Sequence, residues 1–260
     1  MADVVTLEAR DLTVRFGGVA ALTGVSFAVA PGTVTSLIGP NGAGKTTAFN
    51  VITGFQRPTQ GTVHHDGQSI TGWRPHRIAE RGLVRTFQKT SLFPGLSVRE
   101  NVLTGLHLRG RVGVAAALLA RGRVREEERR LGAEADHVMD FVGLGARRAE
   151  SAAALSYGEQ RLLELAVGLA ARPRLLLLDE PASGMSASEK VAVAALIGRI
   201  RDEGITVFLV EHDMRLVMGI SDRVLVLNYG RLIADGDPAA VQRDPEVIRA
   251  YLGAGAHAHP

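Results

Sequence analysis

The sequence predicts an α/β fold: a mostly parallel sheet carrying a glycine-rich loop, an N-terminal antiparallel β subdomain beside it, and an inserted α-helical subdomain. Three observations predict it. Gly39-Pro40-Asn41-Gly42-Ala43-Gly44-Lys45-Thr46-Thr47 follows the apolar run 34–38 and opens a segment that reads as a helix. The runs 175–178 and 205–210 are short, continuous and apolar, as strands buried on both faces are. From residue 96 to about 154, alanine, leucine, arginine and glutamate replace the β-branched runs, which reads as a helical insertion.

The glycine-rich loop carries the chemistry. Its glycines let the backbone turn N–H groups inward around a phosphate, and the following helix offers its positive end to the same anion. The spacing G-x-x-x-x-G-K-T in a strand–loop–helix context is that of a nucleoside-triphosphate site. Lys45 would reach the outer phosphates, and the Thr46 hydroxyl would ligate Mg²⁺.

Composition narrows the setting. The 260 residues suffice for one large domain, carry no cysteine and have a formal charge of only +3. Disulfides and thiolate metal sites are thereby excluded, and a reducing cytosol is the expected home. No apolar run approaches the roughly 18–20 residues of a membrane span, and the start Met1-Ala2-Asp3-Val4 does not read as a signal peptide. The arginine-rich block 121–130 is broken by Glu126-Glu127-Glu128 and lacks interleaved aromatics, so it reads as a solvated helix face rather than a nucleic-acid patch.

In chain order, residues 5–8, 12–16 and 24–29 alternate apolar and polar as half-buried strands do, with turns at Gly17-Gly18 and Pro31-Gly32. Phe16, just before a turn, is either core or a platform for a base. The helix after the loop should run to about Thr53 and stop at Gly54. His64 and His65 alternate across an expected solvated strand and are poor joint metal ligands. Residues 83–88 read as a short strand ending in Gln88. In Leu155-Ser156-Tyr157-Gly158-Glu159-Gln160, Ser156 and Glu159 form a capping-box pattern ahead of an amphipathic helix. Gly158 costs about 1 kcal/mol in a first turn relative to alanine, and its missing side chain would let a phosphate approach the helix end.

Leu175-Leu176-Leu177-Leu178-Asp179-Glu180 is an apolar strand ending in two carboxylates, and buried charge must be paired or bound to metal. Downstream of a phosphate loop, Asp179 suits the Mg²⁺ shell and Glu180 can orient or deprotonate an attacking water. Ser186 to Glu189 caps a helix to about residue 203. The strand 205–210 delivers Glu211-His212-Asp213 to the carboxyl edge, where open α/β sheets bind ligands. A hairpin around Tyr229-Gly230 and short helices ending near Leu252 close the chain, and the apolar-poor tail is expected to be disordered.

Taken in order, Phe16, residues 39–47, Gln88, Leu155 to Gln160, Leu175 to Pro181, Ser183 to Ser186 and His212 resemble the motif set of the ATP-binding cassette (ABC) ATPases across nearly the whole chain. Arg15-Phe16-Gly17-Gly18, Arg85-Thr86-Phe87-Gln88, Leu92-Phe93-Pro94-Gly95-Leu96, Glu211-His212-Asp213-Met214, Leu216 to Asp222 and the ending Val247 to Gly253 resemble the longer ATPase subunit of branched-chain amino-acid importers, the hydrophobic amino-acid uptake family. The resemblance implies a single cassette, residues 1–253. Residues 1–95 and 156–235 would form the nucleotide-binding core with its β subdomain, 96–155 the helical subdomain and 236–253 the C-terminal helices, with 254–260 as a tail.

It also implies roles. ATP would be bound by Phe16, by Gly39, Pro40, Asn41, Gly42, Ala43, Gly44, Lys45, Thr46 and Thr47, and by Asp179. Ser156, Gly158 and Glu159 would meet ATP held by a facing cassette. Mg²⁺ would be ligated by Thr46, Gln88 and Asp179, and catalysis would rest on Glu180, His212 and Gln88. Two transmembrane permease subunits, a second ATPase subunit and, indirectly, a solute-binding protein are the implied partners, at the cytoplasmic face of the membrane. Nucleic acid is not among them. Amides, urea or another small polar solute are alternative cargoes. A cytosolic cassette acting on nucleic acid or ribosomes is the alternative class, although those families show two cassettes or a long coiled coil. The chain departs from the family at Gly184-Met185-Ser186, where Gly-Leu-Asn or Gly-Leu-Asp is usual. Serine is also a good N-cap, so the structural job survives there.

Overall fold

The computed structural model describes residues 6–86, 92–106 and 121–255. They form two compact units: one comprises the chain up to Arg85, Arg174–Ser183 and the chain from Lys190 onward, the other Thr86–Pro173 and Gly184–Glu189.

The first unit holds two sheets. Strands β1 (Leu7–Phe16), β2 (Val19–Val29), β4 (Gln60–His65) and β5 (Gln68–Ser69) make an antiparallel sheet in the order β2-β1-β4-β5. The second sheet runs β10-β9-β3-β8-β7-β6, built from β3 (Val34–Ile38), β6 (Leu83–Arg85), β7 (Leu175–Asp179), β8 (Thr206–Val210), β9 (Arg223–Asn228) and β10 (Arg231–Gly236). All its pairings are parallel except the β9–β10 hairpin. Every residue of β3, β7 and β8 is buried, which is why these strands read as unbroken apolar runs.

Helix α1 (Lys45–Ile52) lies in the main core, where Phe49 and Phe208 have ring centroids 5.1 Å apart and Phe27 and Phe208 5.5 Å. Helix α2 (Pro75–Glu80) leads into β6. A second apolar cluster gathers Ile38, Val217, Val224, Val226, Val241 and Val247, with Tyr251 packed against it. It seats the C-terminal helices of the chain.

The sequence expectation split the first strand into two, but β1 is continuous. Asp11 takes the left-handed conformation, φ 49°, and its carboxylate accepts from the Ser26 hydroxyl at 3.1 Å, so a bulge carries the pairing through. β2 likewise starts at Val19 rather than Gly24. Phe16 is 53% exposed, so the core reading does not hold. His65 is buried, not solvated, with Nδ1 2.8 Å from the Thr6 carbonyl.

The second unit packs α3 (Val98–Leu106), α4 (Arg121–Val142) and α5 (Tyr157–Ala170) against one another. α5 therefore belongs with the helical unit, whereas the sequence-based limit ended that unit at residue 155. At Gly105 a Cβ would strike the Val167 carbonyl, so α3 and α5 cross in backbone contact. Arg125, Arg129 and Arg130 on α4 are solvent-exposed, and Arg130 pairs with Glu127 and Glu134 at 2.8 and 3.0 Å. Such exposed pairs, screened by solvent, contribute little to stability.

Asn101 ties the start of this unit together. It is buried, its Oδ1 accepts from the Phe93 N–H at 2.8 Å, and its Nδ2 donates to the carbonyls of Phe93 at 3.1 Å and Ser97 at 2.9 Å. Asn101→Ala should cost about 1–3 kcal/mol through the unpaired backbone groups left behind. A urea midpoint unchanged from wild type would contradict this.

The chain continues with α6 (Ala187–Asp202), α7 (Met214–Ile220), α8 (Pro238–Arg243) and α9 (Pro245–Gly255). The last helix reaches Gly255, so residues 254 and 255 are helical where an unstructured tail was expected. Among the described residues no helix is long and apolar enough to cross a membrane.

Candidate functional site

In the first unit the site is built on the carboxyl ends of β3, β7 and β8. The loop leaving β3 is tightly enclosed. Gly39 has φ 149°, and a Cβ there would strike the Leu227 carbonyl. Gly44, at φ 106°, caps α1, and a Cβ would meet the Ala21 carbonyl and the Leu22 side chain. Only glycine satisfies both the dihedral and the close approach. The Ala43 carbonyl accepts from the Gly230 N–H at 3.0 Å, so the β9–β10 turn buttresses the loop.

Lys45 curls back over this loop, its Nζ donating to the Gly39 carbonyl at 2.7 Å and the Pro40 carbonyl at 3.0 Å. Burial lowers its pKa, opposed by the nearby charges of Glu180 and Asp179. Lys45 and the two carboxylates thus share one electrostatic neighbourhood, although 134 or more residues separate them in sequence (179 − 45 = 134). The Thr46 side chain is exposed at the start of α1.

Asp179 ends β7 nearly fully buried, and its Oδ2 accepts from Arg85 Nη2 at 2.6 Å. Arg85 also donates to Asn50 Oδ1 at 2.7 Å and stands over the Phe49 ring, 5.6 Å from its centroid. Arg85 is thus the residue that makes a buried aspartate tolerable, and no local sequence signal announces it. Thr46 and Asp179 present hard hydroxyl and carboxylate oxygens, which fit Mg²⁺. Among the described residues no group of three His, Cys, Asp or Glu could hold a metal. A cation here would therefore take much of its shell from phosphate oxygens and water.

Glu180 has φ 50°, a left-handed conformation rare for glutamate and of the strained kind found at functional sites. Its N–H donates to the Val210 carbonyl at 2.8 Å, which pins the residue to the neighbouring strand. His212 is largely exposed, with Nδ1 3.9 Å from Glu180 Oε2 and 3.6 Å from Glu211 Oε2. Glu211 was not singled out by sequence reasoning. It is 1% exposed and accepts from the backbone N–H groups of Ala182 at 3.0 Å, His212 at 2.8 Å and Asp213 at 3.2 Å. One carboxylate therefore locks together the two loops that carry Glu180 and His212. Asp213 caps α7 and accepts from Lys190 at 2.7 Å, a bond that lowers the Asp213 pKa.

Two further residues border the loop. Phe16 ends β1 opposite Val19, in the hairpin whose second strand passes Gly44 at Ala21. Tyr251 on α9 packs on the cluster that includes Ile38, next to Gly39 in the chain. Burial raises its pKa to about 12, against a hydrogen bond from the Gly39 backbone. Sequence reasoning missed Tyr251, because nothing in a C-terminal helix pattern points to a loop so far away.

The second unit carries the other predicted residues. Ser156 caps α5: its hydroxyl accepts from the Glu159 N–H at 3.3 Å, and Glu159 Oε2 accepts from the Ser156 N–H at 2.9 Å. That backbone bond is the main reason the Glu159 pKa falls. Gly158 is buried, and its open side is filled by the Glu189 carboxylate rather than left clear, as a phosphate approach would need. Glu189 in turn accepts from the Ser186 hydroxyl at 2.6 Å and the Ser186 N–H at 2.8 Å, and the Ser186 hydroxyl accepts from the Glu189 N–H at 3.4 Å, the expected cap of α6. Gln88 lies outside the described residues.

Residues 22–183 match the family model of the ABC transporter, and residues 231–257 match that of the branched-chain amino acid ATP-binding cassette transporter. The chain is 46% identical over 248 residues to the high-affinity branched-chain amino acid transport ATP-binding protein BraF of Pseudomonas aeruginosa, covering 95% of this chain and 97% of the relative. It is 42% identical over 248 residues, with the same coverage, to the corresponding protein LivG of Escherichia coli K12. Among solved structures it is similar to the ADP conformation of MJ1267, an ATP-binding cassette of an ABC transporter. The TM-score is 0.84 and the identity 31%, over 96% of this chain and 99% of that one.

Proposed function

Because the chain belongs to the ABC transporter family, we propose that it is the ATP-hydrolysing subunit of a membrane importer for branched-chain amino acids. The observation that carries this reading is the convergence of Lys45, Asp179, Glu180 and His212 on one sheet edge beside a phosphate loop. The cargo is inferred from the printed names of BraF and LivG and from the C-terminal match.

In the mechanism, backbone N–H groups of residues 39–47 and the Lys45 ammonium hold the phosphates of ATP. Exposed Phe16 takes the adenine face, which its position at a solvent-facing hairpin supports. Thr46 and Asp179 would hold Mg²⁺, which when bound neutralises developing phosphate charge. Glu180 accepts the proton of the attacking water, its backbone set by the Val210 bond. His212 donates toward the γ-phosphate, its loop set by Glu211. Ser156, Gly158 and Glu159 meet the ATP of a second cassette, an arrival that requires Glu189 to leave the space beside Gly158. Gln88, as the family resemblance implies, would join the metal shell and couple the site to two permease subunits at the cytoplasmic face of the membrane.

The test is transport. Deleting this chain from its host should abolish uptake of labelled leucine, isoleucine and valine, and wild-type protein but not Glu180→Gln should restore it. Unchanged uptake in the deletion strain would overturn the cargo assignment.

Coupling gives a second expectation. Phe93 is 55% exposed, so it has no core role to lose. Phe93→Asp should leave basal ATPase activity intact and abolish its stimulation by transported solute in the reconstituted complex. Equal loss of both activities would contradict a docking role.

A further inference from the structure

Away from the phosphate loop, the first unit carries a surface hollow of about 430 Å³ lined by Arg57, Gly72, Trp73, Arg74, His76 and Arg77. The fold, not a run of basic residues, assembles it. Arg57 comes from the loop after α1, Gly72, Trp73 and Arg74 from the approach to α2, and His76 and Arg77 from α2 itself, and the two segments meet at Gly54. There φ is +78°, and a Cβ would strike the Trp73 carbonyl. The two backbone segments that carry these arginines are thereby held in contact.

Three exposed arginines elsewhere in the chain hold carboxylates: Arg147 pairs with Glu150 at 2.9 Å, Arg148 with Asp140 at 2.7 Å and Arg174 with Asp66 at 2.8 Å. Among the described residues, Arg57, Arg74 and Arg77 have no ion-pair partner, and Glu80 at the far end of α2 pairs with none of them. Three exposed cations converging without a counter-ion are mutually repulsive, and an anion relieves that repulsion.

Aromatic residues flank them. Phe55, on the same loop as Arg57, is 54% exposed. Trp73 rests one side on the core and receives the Arg81 guanidinium 5.9 Å above its ring. Cations beside amphipathic or exposed aromatic rings are the composition of surfaces that lie at a membrane interface.

We propose that this hollow binds the phosphate of an anionic membrane-lipid headgroup, with Arg57, Arg74 and Arg77 as its cations and Phe55 entering the interface beside it. The inference deepens the proposed role at the membrane and rests on it. A lipid surface is favoured over a nucleic acid because Phe55 and Trp73 stand beside the hollow rather than in a row along a groove.

The full purified chain is sedimented with vesicles of phosphatidylcholine alone or of phosphatidylcholine mixed with phosphatidylglycerol. Binding is expected only to the anionic vesicles, weakening as salt is raised. An arginine near an anionic surface contributes about 1 kcal/mol, roughly five-fold, so Arg57→Ser with Arg77→Ser should weaken partitioning roughly 25-fold. Arg231→Ser with Arg249→Ser removes the same charge elsewhere on the first unit and should leave partitioning unchanged. Equal loss from both pairs, or no preference for the anionic vesicles, overturns the proposal. So does preferential capture by single-stranded RNA. ATPase rates of the variants, expected at the wild-type level, report folding, so a vesicle failure with ATPase retained leaves the proposed ATPase function standing.

Discussion

Glu180→Gln protein should bind Mg-ATP but turn it over about 10²–10⁴-fold more slowly than wild type, the usual contribution of a positioned general base. The substitution keeps shape and much of the hydrogen bonding while removing the basic carboxylate. The backbone at this position is held in a left-handed conformation, φ 50°, with its N–H on Val210 and its carbonyl accepting from Ser183 at 3.1 Å. An isosteric amide inherits those constraints, so a lower rate would report chemistry rather than misfolding. Uncleaved ATP should then hold two chains together, and the variant should elute as a dimer with Mg-ATP and as a monomer without it. Hydrolysis at the wild-type rate would remove Glu180 from the mechanism, whatever the elution volume.

Lys45→Ala should raise the dissociation constant for ATP by about 100-fold or more, since a charge-assisted hydrogen bond contributes about 1.5–3 kcal/mol and Lys45 is placed to make more than one. Its ammonium is bonded to the Gly39 and Pro40 carbonyls, half-buried and over the loop. Little reorganisation is then needed to reach a phosphate, and alanine replaces the ammonium with nothing. Thermal unfolding of the variant should stay near wild type, because the loop is also held by Gly230 and by close contact at Leu227. Affinity within a few-fold of wild type, measured by titration calorimetry, would contradict the site assignment.

Much of this was legible in the sequence because it depends on short-range pattern. The spacing of Gly39, Gly44 and Lys45, the Ser156–Glu159 cap and the apolar runs of β3, β7 and β8 each concern neighbours within a turn or a strand. Their geometry is therefore constrained by sterics and periodicity before any distant contact forms. The β9–β10 hairpin at Tyr229-Gly230 belongs with them. The family resemblance could be read for the same reason, since its motifs are local.

Where the sequence reading differed, a partner distant in the chain decided the outcome. An aspartate at the end of an apolar strand calls for a counter-charge, but only the parallel pairing of β6 with β7 brings Arg85 to it. Glu211 becomes the clasp between two loops only because β7 and β8 lie side by side, and Tyr251 reaches Gly39 only because α9 packs on Ile38. The glycine at 158 predicts open space, yet the fold fills it with Glu189. Sequence by itself determined the phosphate loop, the capped helices and the carboxylates at a strand end. Tertiary structure alone decided which buried charge is compensated and which side chain faces solvent, because those depend on strand order and helix packing, long-range contacts that no local periodicity encodes.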